Sequence, residues 1–372
     1  MSLAPVVLGV TLALVGIAFA FPKVATRFED LALGAETTSV FVRRGDQPIH
    51  GSTWNDIPTL LAGHRTRGSR PVVLWLGNSQ VHAINQWQPG QETAAGPLFD
   101  RLDPHGLDLV TLSQPNASLQ EHYVLFEYLR HQLHLQWLLL PVVLDDTRED
   151  GIRGDLTPAL GDPSAAAALR KTEIGRRLVD RTGVLAAGDP DLGGVRDTLQ
   201  EWSERALNGW LDAHWTLWQR RPEVRGRLFT ELYLLRNRAL GIQATSTRRI
   251  LRGPYAANLS ALRAILAAAQ AAHIQVLVYV VPLRQDVAPP YDPTDYAGFK
   301  REVEALAREY AARFENLERT VPGELWGRKD ATTAGGDAEL DFMHFQAGGH
   351  RLLAEALYRA IRPAGRSAGD GR

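Results

Sequence analysis

The 372-residue chain is 45% hydrophobic and 22% charged, a balance that supports a sizeable core and excludes wholesale disorder. Its net charge of −1 excludes a global basic field, so nucleic acid is not expected as a partner. The absence of cysteine excludes disulfides, thiolate metal sites and a cysteine nucleophile, and leaves the redox compartment open.

In chain order, residues 3–21 read LAPVVLGVTLALVGIAFAF and carry no charge. Roughly 20 apolar residues cross a bilayer as a helix. The triplet Ala18-Phe19-Ala20 could serve as a signal-peptidase site, but no Lys or Arg precedes the run. That favours an uncleaved transmembrane anchor over residues 1–23, with the lipid bilayer as partner of residues 3–21. Lys23 and Arg27 would by the positive-inside rule put the carboxyl side in the cytoplasm. Residues 24–70 are mixed in character and read as a juxtamembrane connector with a short helix near residues 54–61.

Regular signals begin at residue 71 and continue to residue 363. Continuous apolar runs predict strands at 72–76, 107–112, 137–144 and 275–281, in the manner of a parallel sheet covered on both faces. Pro141 lies inside the third run and marks a bend or a later strand start. Helical patterns cover 118–131, 259–272, 296–314 and 347–361. The alternation predicts an α/β doubly wound parallel sheet. Residues 151–250 show no convincing strand and read as a helical insertion. Its Trp202, Trp210, Trp215 and Trp218 are expected to pack on the sheet domain. Arg236, Arg238, Arg248, Arg249 and Arg252 form a solvated face, with a polyanionic or lipid-headgroup partner as the alternative. Residues 364–372 read as a disordered tail.

Two motifs carry chemistry. The first strand run ends on Gly77-Asn78-Ser79, which puts a small nucleophile at the carboxyl end of a strand, where open α/β sheets bind ligands. Near the other end of the chain, Asp341 and His344 stand three residues apart before the last helix. A serine nucleophile needs a base in hydrogen-bond reach and a group that orients the base. The bland alternative is a strand-end serine, an aspartate helix cap and a packed histidine. His82, His105 and His122 follow strands and are expected to be partly exposed polar residues. The loop 281–292 follows the strongest strand, and its Arg284 is a candidate substrate contact or a solvated arginine on a rigid turn. No HExxH, Walker or GxGxxG pattern occurs, so neither a metal nor another cofactor is expected.

The order of these pieces resembles the block layout of the SGNH, or GDSL, hydrolase superfamily. A Gly-x-Ser ends the first sheet strand, SQPNASLQE follows the second, LDDTREDGIR follows the third, and an Asp-x-x-His precedes the final helix. The likeness is greatest to the membrane-anchored bacterial branch of alginate-acetylation and DltD-like proteins. It implies a flavodoxin-like three-layer α/β/α fold, with Ser79 as nucleophile, His344 as base and Asp341 as orienting acid. It also implies an oxyanion site made by the Ser79 N–H, a second-block glycine and a third-block asparagine. Here Asn78 stands where the family has aspartate, and Asn116 where it has the glycine. No asparagine is present in the third block, where Arg148 could donate and Asp146 could donate only if protonated.

The function implied is a membrane-anchored, extracytoplasmic (periplasmic) serine acyl-hydrolase or O-acyltransferase acting on an ester or polysaccharide. The alternative is a catalytically degenerate SGNH-like accessory subunit of a larger membrane protein complex. A membrane protein partner and a polysaccharide acceptor follow from the same resemblance.

Overall fold

The structure is a computed structural model and describes residues 37–188, 245–329 and 337–362. The anchor at residues 1–23, the four insertion tryptophans, Arg236, Arg238 and the tail lie outside the described residues. No helix among the described residues is long and apolar enough to cross a membrane.

Short strands come first: β1 (Thr37–Ser39), β2 (Arg43–Arg44), β3 (Gln47–Pro48) and β4 (His50–Gly51). They are followed by β5 (Val72–Gly77), β6 (Ala83–Asn85), β7 (Asp108–Ser113) and β8 (Leu135–Val142). The rest are β9 (Gln275–Val280), β10 (Arg313–Asn316), β11 (Trp326–Lys329) and β12 (Glu339–Phe345). Six of these form a parallel sheet in the order β10-β9-β8-β5-β7-β4. Every residue of β5 and β7 is buried, as expected for strands covered on both faces. Trp75 of β5 reaches across to β9, where its indole N–H donates to the Tyr279 hydroxyl at 3.0 Å.

Leaving out β4, the order β7-β5-β8-β9-β10 is the flavodoxin-like order, and the chain reverses its direction of travel between β5 and β8. Right-handed crossovers then put helix Ala95–Leu102, which leads to β7, on one face. Helix Leu119–Leu129, which leads back to β8, falls on the other. Helix Ala347–Ile361 packs on the first and helix Arg252–Ala271 on the second, giving an α/β/α arrangement. Helix Leu119–Leu129 starts on a capping box: Ser118 Oγ accepts the Glu121 N–H, and Glu121 accepts the Ser118 N–H.

Several expectations need correction. Residues 37–70 are part of the domain and not a connector. β4 adds an edge strand to the sheet, and helix Ile57–Thr66 buries Ile57, Leu60 and Leu61. Two-residue strands carry too little pattern to be seen in a sequence. The helix expected over 296–314 stops at Glu309, and residues 313–316 form β10. β10 is a mostly exposed edge strand, so it lacks an apolar run. Pro141 stays within β8, two residues beyond the last pairing with β5 at Leu139, while pairing to β9 continues. Of the expected insertion, the described residues 154–188 are helical. Leu156, Leu160, Leu169 and Leu178 of this segment join the main core.

Candidate active site

β5 ends at Gly77, and a one-turn helix, Ser79–His82, begins two residues later. The tight junction requires glycine, since a Cβ at Gly77 would come within 2.5 Å of Val81 Cγ2. Asn78 caps the turn by accepting the Gln80 N–H at 3.1 Å. Ser79 is thereby held at the carboxyl end of β5, next to the point where the strand order reverses. This is the crevice where open α/β sheets bind ligands.

Asp341 and His344 lie on β12, which pairs antiparallel with β11 and directly precedes the last helix. Asp341 caps no helix; Gln346 is the N-cap of Ala347–Ile361. The Asp341 carboxylate instead organises its own strand: Oδ1 accepts the Met343 N–H at 2.8 Å and the His344 N–H at 3.0 Å. Its Oδ2 lies 3.0 Å from His344 Nδ1, and His344 Nε2 lies 3.0 Å from Ser79 Oγ. A carboxylate can only accept, so Nδ1 carries the proton and Nε2 is left to accept from the serine hydroxyl. Burial works to raise the Asp341 carboxyl, but the His344 ring and the N–H donors outweigh it and bring it to about 2. Asp341 is 1% exposed and Ser79 and His344 are each 7% exposed, so the chain of bonds is largely shielded from water.

Three residues that the sequence did not single out hold this chain in place. Asn85 Nδ2 donates to Asp341 Oδ2 at 3.2 Å and to the Arg328 carbonyl at 2.8 Å. Gly327 makes room for it, because a Cβ there would fall 1.7 Å from Asn85 Oδ1. Gln80 Nε2 bridges the Pro282 carbonyl at 3.1 Å and the Met343 carbonyl at 2.9 Å, tying the Ser79 turn to β12. Gln346 Nε2 adds a bond to Gln86 Oε1 at 2.9 Å.

Arg284 is neither solvated nor free to hold a substrate. It is 8% exposed, forks onto Asp286 at 2.8 and 2.9 Å, and donates to the carbonyls of Gly327 and Asp341. It braces the strands that carry Asp341. Asn116 is exposed, in the loop after β7, at φ 51°. That left-handed conformation is one that glycine adopts freely and asparagine tolerates, which accounts for an asparagine at this position. Arg148 is one-third exposed, lies 3.8 Å from Asp145, and its buried Nε has no partner among the described residues. Asn78, besides capping, donates to Asp146 Oδ2 at 2.7 Å.

The histidines divide. His105 is exposed and bonds the Tyr358 hydroxyl at 2.7 Å. His82 and His122 are buried, contrary to expectation. His82 Nδ1 and His50 Nε2 both bond Ser113 Oγ, at 2.8 and 2.7 Å. Burial lowers the basicity of both rings, that of His50 to about 3. Among the described residues no group of three or more acidic or histidine side chains could hold a metal ion.

No protein-family model matches the chain, and no curated protein matches it. Among solved structures, it is similar to Axe2, an acetylxylan esterase from Geobacillus stearothermophilus, at 12% identity and TM-score 0.38, over 80% of this chain and 96% of that one. It is also similar to a candidate acylhydrolase from Bacteroides fragilis, at 10% identity and TM-score 0.36, over 83% of this chain and 96% of that one. Likenesses this distant say nothing of the chemistry, which rests on the geometry above.

Proposed function

We propose that this chain is a serine acyl-hydrolase or O-acyltransferase that works through Ser79, His344 and Asp341. The observation that carries the reading is the continuous chain from Ser79 Oγ through the imidazole to the Asp341 carboxylate, with 3.0 Å at each link. Ser79 Oγ attacks an ester carbonyl carbon as its proton passes to His344 Nε2. The tetrahedral intermediate then collapses, His344 returns the proton to the departing alkoxide, and the acyl group remains on Ser79. Water or a sugar hydroxyl, deprotonated by the same imidazole, takes the acyl group in the second half. Asp341 keeps the ring in the productive tautomer and stabilises the imidazolium. The Ser79 N–H, with no acceptor among the described residues, is a donor for the oxyanion.

The uncharged run at residues 3–21 supports a membrane anchor. Placement of the domain outside the cytoplasm rests on the family resemblance, against the positive-inside signal of Lys23 and Arg27, and makes a polysaccharide hydroxyl a natural acceptor. The test is labelling of the detergent-solubilised chain with a fluorophosphonate, beside Ser79→Ala. Labelling that disappears in the variant is the expected result. A folded parent chain that takes no label would overturn the enzyme reading and favour the accessory-subunit role.

A further inference from the structure

The crevice between β5 and β8 holds a carboxyl group that the serine chemistry leaves unused. Asp146 stands in the first turn after β8 and is 7% exposed. Its Oδ2 accepts from Nδ2 of Asn78, the residue before Ser79, at 2.7 Å. The Asn78 amide cannot be turned round, because its own oxygen is committed to the Gln80 N–H. Asp146 is therefore fixed against the nucleophile's turn by a bond whose direction is set.

No cation bonds Asp146 among the described residues. In its own turn, Arg148 lies against Asp145 instead, and Arg248 bonds Asp145 as well. Helix Leu119–Leu129 presents Glu121, which already holds Arg153 at 2.8 Å, and the loop after β9 presents Tyr291, whose hydroxyl donates to Asp145 at 3.1 Å. Helix Arg252–Ala271 offers Asn258, which donates to the carbonyls of Thr147 and Glu149 and does not titrate. Asp145, Glu121 and Glu149 add negative charge around the group. A buried anion among three carboxylates without a counter-ion is costly, and such a group takes up a proton. Burial and these neighbours do push the Asp146 carboxyl well above the usual range, against the opposing pull of the Asn78 bond. As a neutral acid, Asp146 has a carbonyl oxygen for Asn78 and one O–H left to give.

We infer that the neutral carboxylic acid of Asp146 donates a hydrogen bond to the substrate's carbonyl oxygen as it becomes the oxyanion, beside the Ser79 N–H. This rests on the serine reading above. A neutral acid suits the task, since its bond to an anionic oxygen is stronger than its bond to an ester carbonyl, and the gain appears only in the transition state. An ionised Asp146 would repel the same oxygen. The donor role is thus filled by an acidic residue whose surroundings keep it uncharged.

The test combines fluorophosphonate labelling rates of the full chain in detergent with infrared spectra of the same protein. Asp146→Ala is expected to label about 100- to 1,000-fold more slowly, the usual cost of one oxyanion donor. Asp146→Asn offers an acceptor to Asn78 and an N–H to the oxyanion, and should recover at least about tenfold of that loss. The parent rate should fall at alkaline pH as Asp146 ionises, and the Asn variant should lack that fall. At neutral pH the infrared difference between parent and Asn variant should contain the carbonyl stretch of a protonated carboxylic acid. An Asn variant as slow as the Ala variant, or a labelled parent without that band, would overturn the donor role alone. A folded parent that takes no label would remove the serine chemistry and the donor role together.

Discussion

Four histidines are buried without charge, and this makes the fold acid-sensitive in a way that can be calculated. Burial is the leading cause at each: it brings His50 and His350 to about 3 and His122 to about 4, and lowers His82 well below its ordinary value. In the unfolded chain each ring binds a proton near 6.5. The native state excludes that proton, so the stability these rings lend is complete above pH 6.5 and lost as pH falls from there towards the folded values of about 3 to 4. At about pH 5.5, each ring with a folded value of 4 or below costs on the order of 1 kcal/mol, so His50, His122 and His350 together cost roughly 3–4 kcal/mol. His82 acts in the same direction. Asp146 opposes with at most one proton, and Glu127 and Asp155 oppose in the same way, because carboxyls raised by burial favour the native state as pH falls. The net loss is a large part of the roughly 5–15 kcal/mol that holds a domain together.

His122 isolates one ring from that sum. It is 2% exposed, and among the described residues its ring makes one hydrogen bond, a long 3.4 Å contact to the Gly77 carbonyl, while its Nδ1 has no partner. His122→Gln nearly keeps the volume and a donor for the Gly77 carbonyl, and removes the titration. Urea unfolding followed by tryptophan fluorescence, at about pH 7.5 and about pH 5.5, should show the variant losing on the order of 1 kcal/mol less than the parent between the two. Equal losses in the two proteins would refute the assignment of His122 as a neutral buried ring. A parent whose stability did not change over this interval would show that these buried rings are not neutral in the native state.

Two further outcomes follow from the site. Asp341→Asn removes the acceptor that fixes the imidazole tautomer, so labelling of Ser79 should slow by about 10⁴; a loss under about tenfold in that rate would show that Asp341 does not orient the base. Arg284→Met leaves the Gly327 and Asp341 carbonyls without their donor and should cost about 3 kcal/mol in urea unfolding, with slower labelling as a consequence. An Arg284→Met chain of parental stability that only required more substrate would return Arg284 to the role of a substrate contact.

What could be read from the sequence was whatever a local pattern encodes. β5 and β9 announce themselves because strands buried on both faces need uninterrupted apolar runs, and 72–76 and 275–281 are such runs. β10 and β4 do not, one because its side chains face water and the other because two residues make no pattern. Ser79, Asp341 and His344 were legible as types in suitable places. Gln80, Asn85 and Arg284 were not, since their roles are defined by partners 202 and 263, 256, and 43 to 57 residues away, apart from Arg284's local bond to Asp286. Arg284 was misjudged for a related reason. An arginine in a proline-rich loop is ordinarily solvated, and only the fold supplies the carbonyls that bury this one.

The same distances show how a site with members 265 residues apart can still be held firmly. Asp341 and His344 need no long-range help to find each other. They are three residues apart, and the Asp341 carboxylate binds both the His344 ring and the His344 N–H, so the acid–base half forms within one strand. Only one docking event then remains, that of β12 against the Ser79 turn. Gln80 contributes one amide that donates to the Pro282 and Met343 carbonyls, and Asn85 and Gln346 add their bonds to the same event. Because the entropy of closing a loop grows only slowly with its length, the long separation adds little to that one event. A serine joined separately to an unattached histidine and an unattached aspartate would require two. The cost of this economy is dependence: β12 carries base and orienting acid together, so whatever loosens β12 removes both at once.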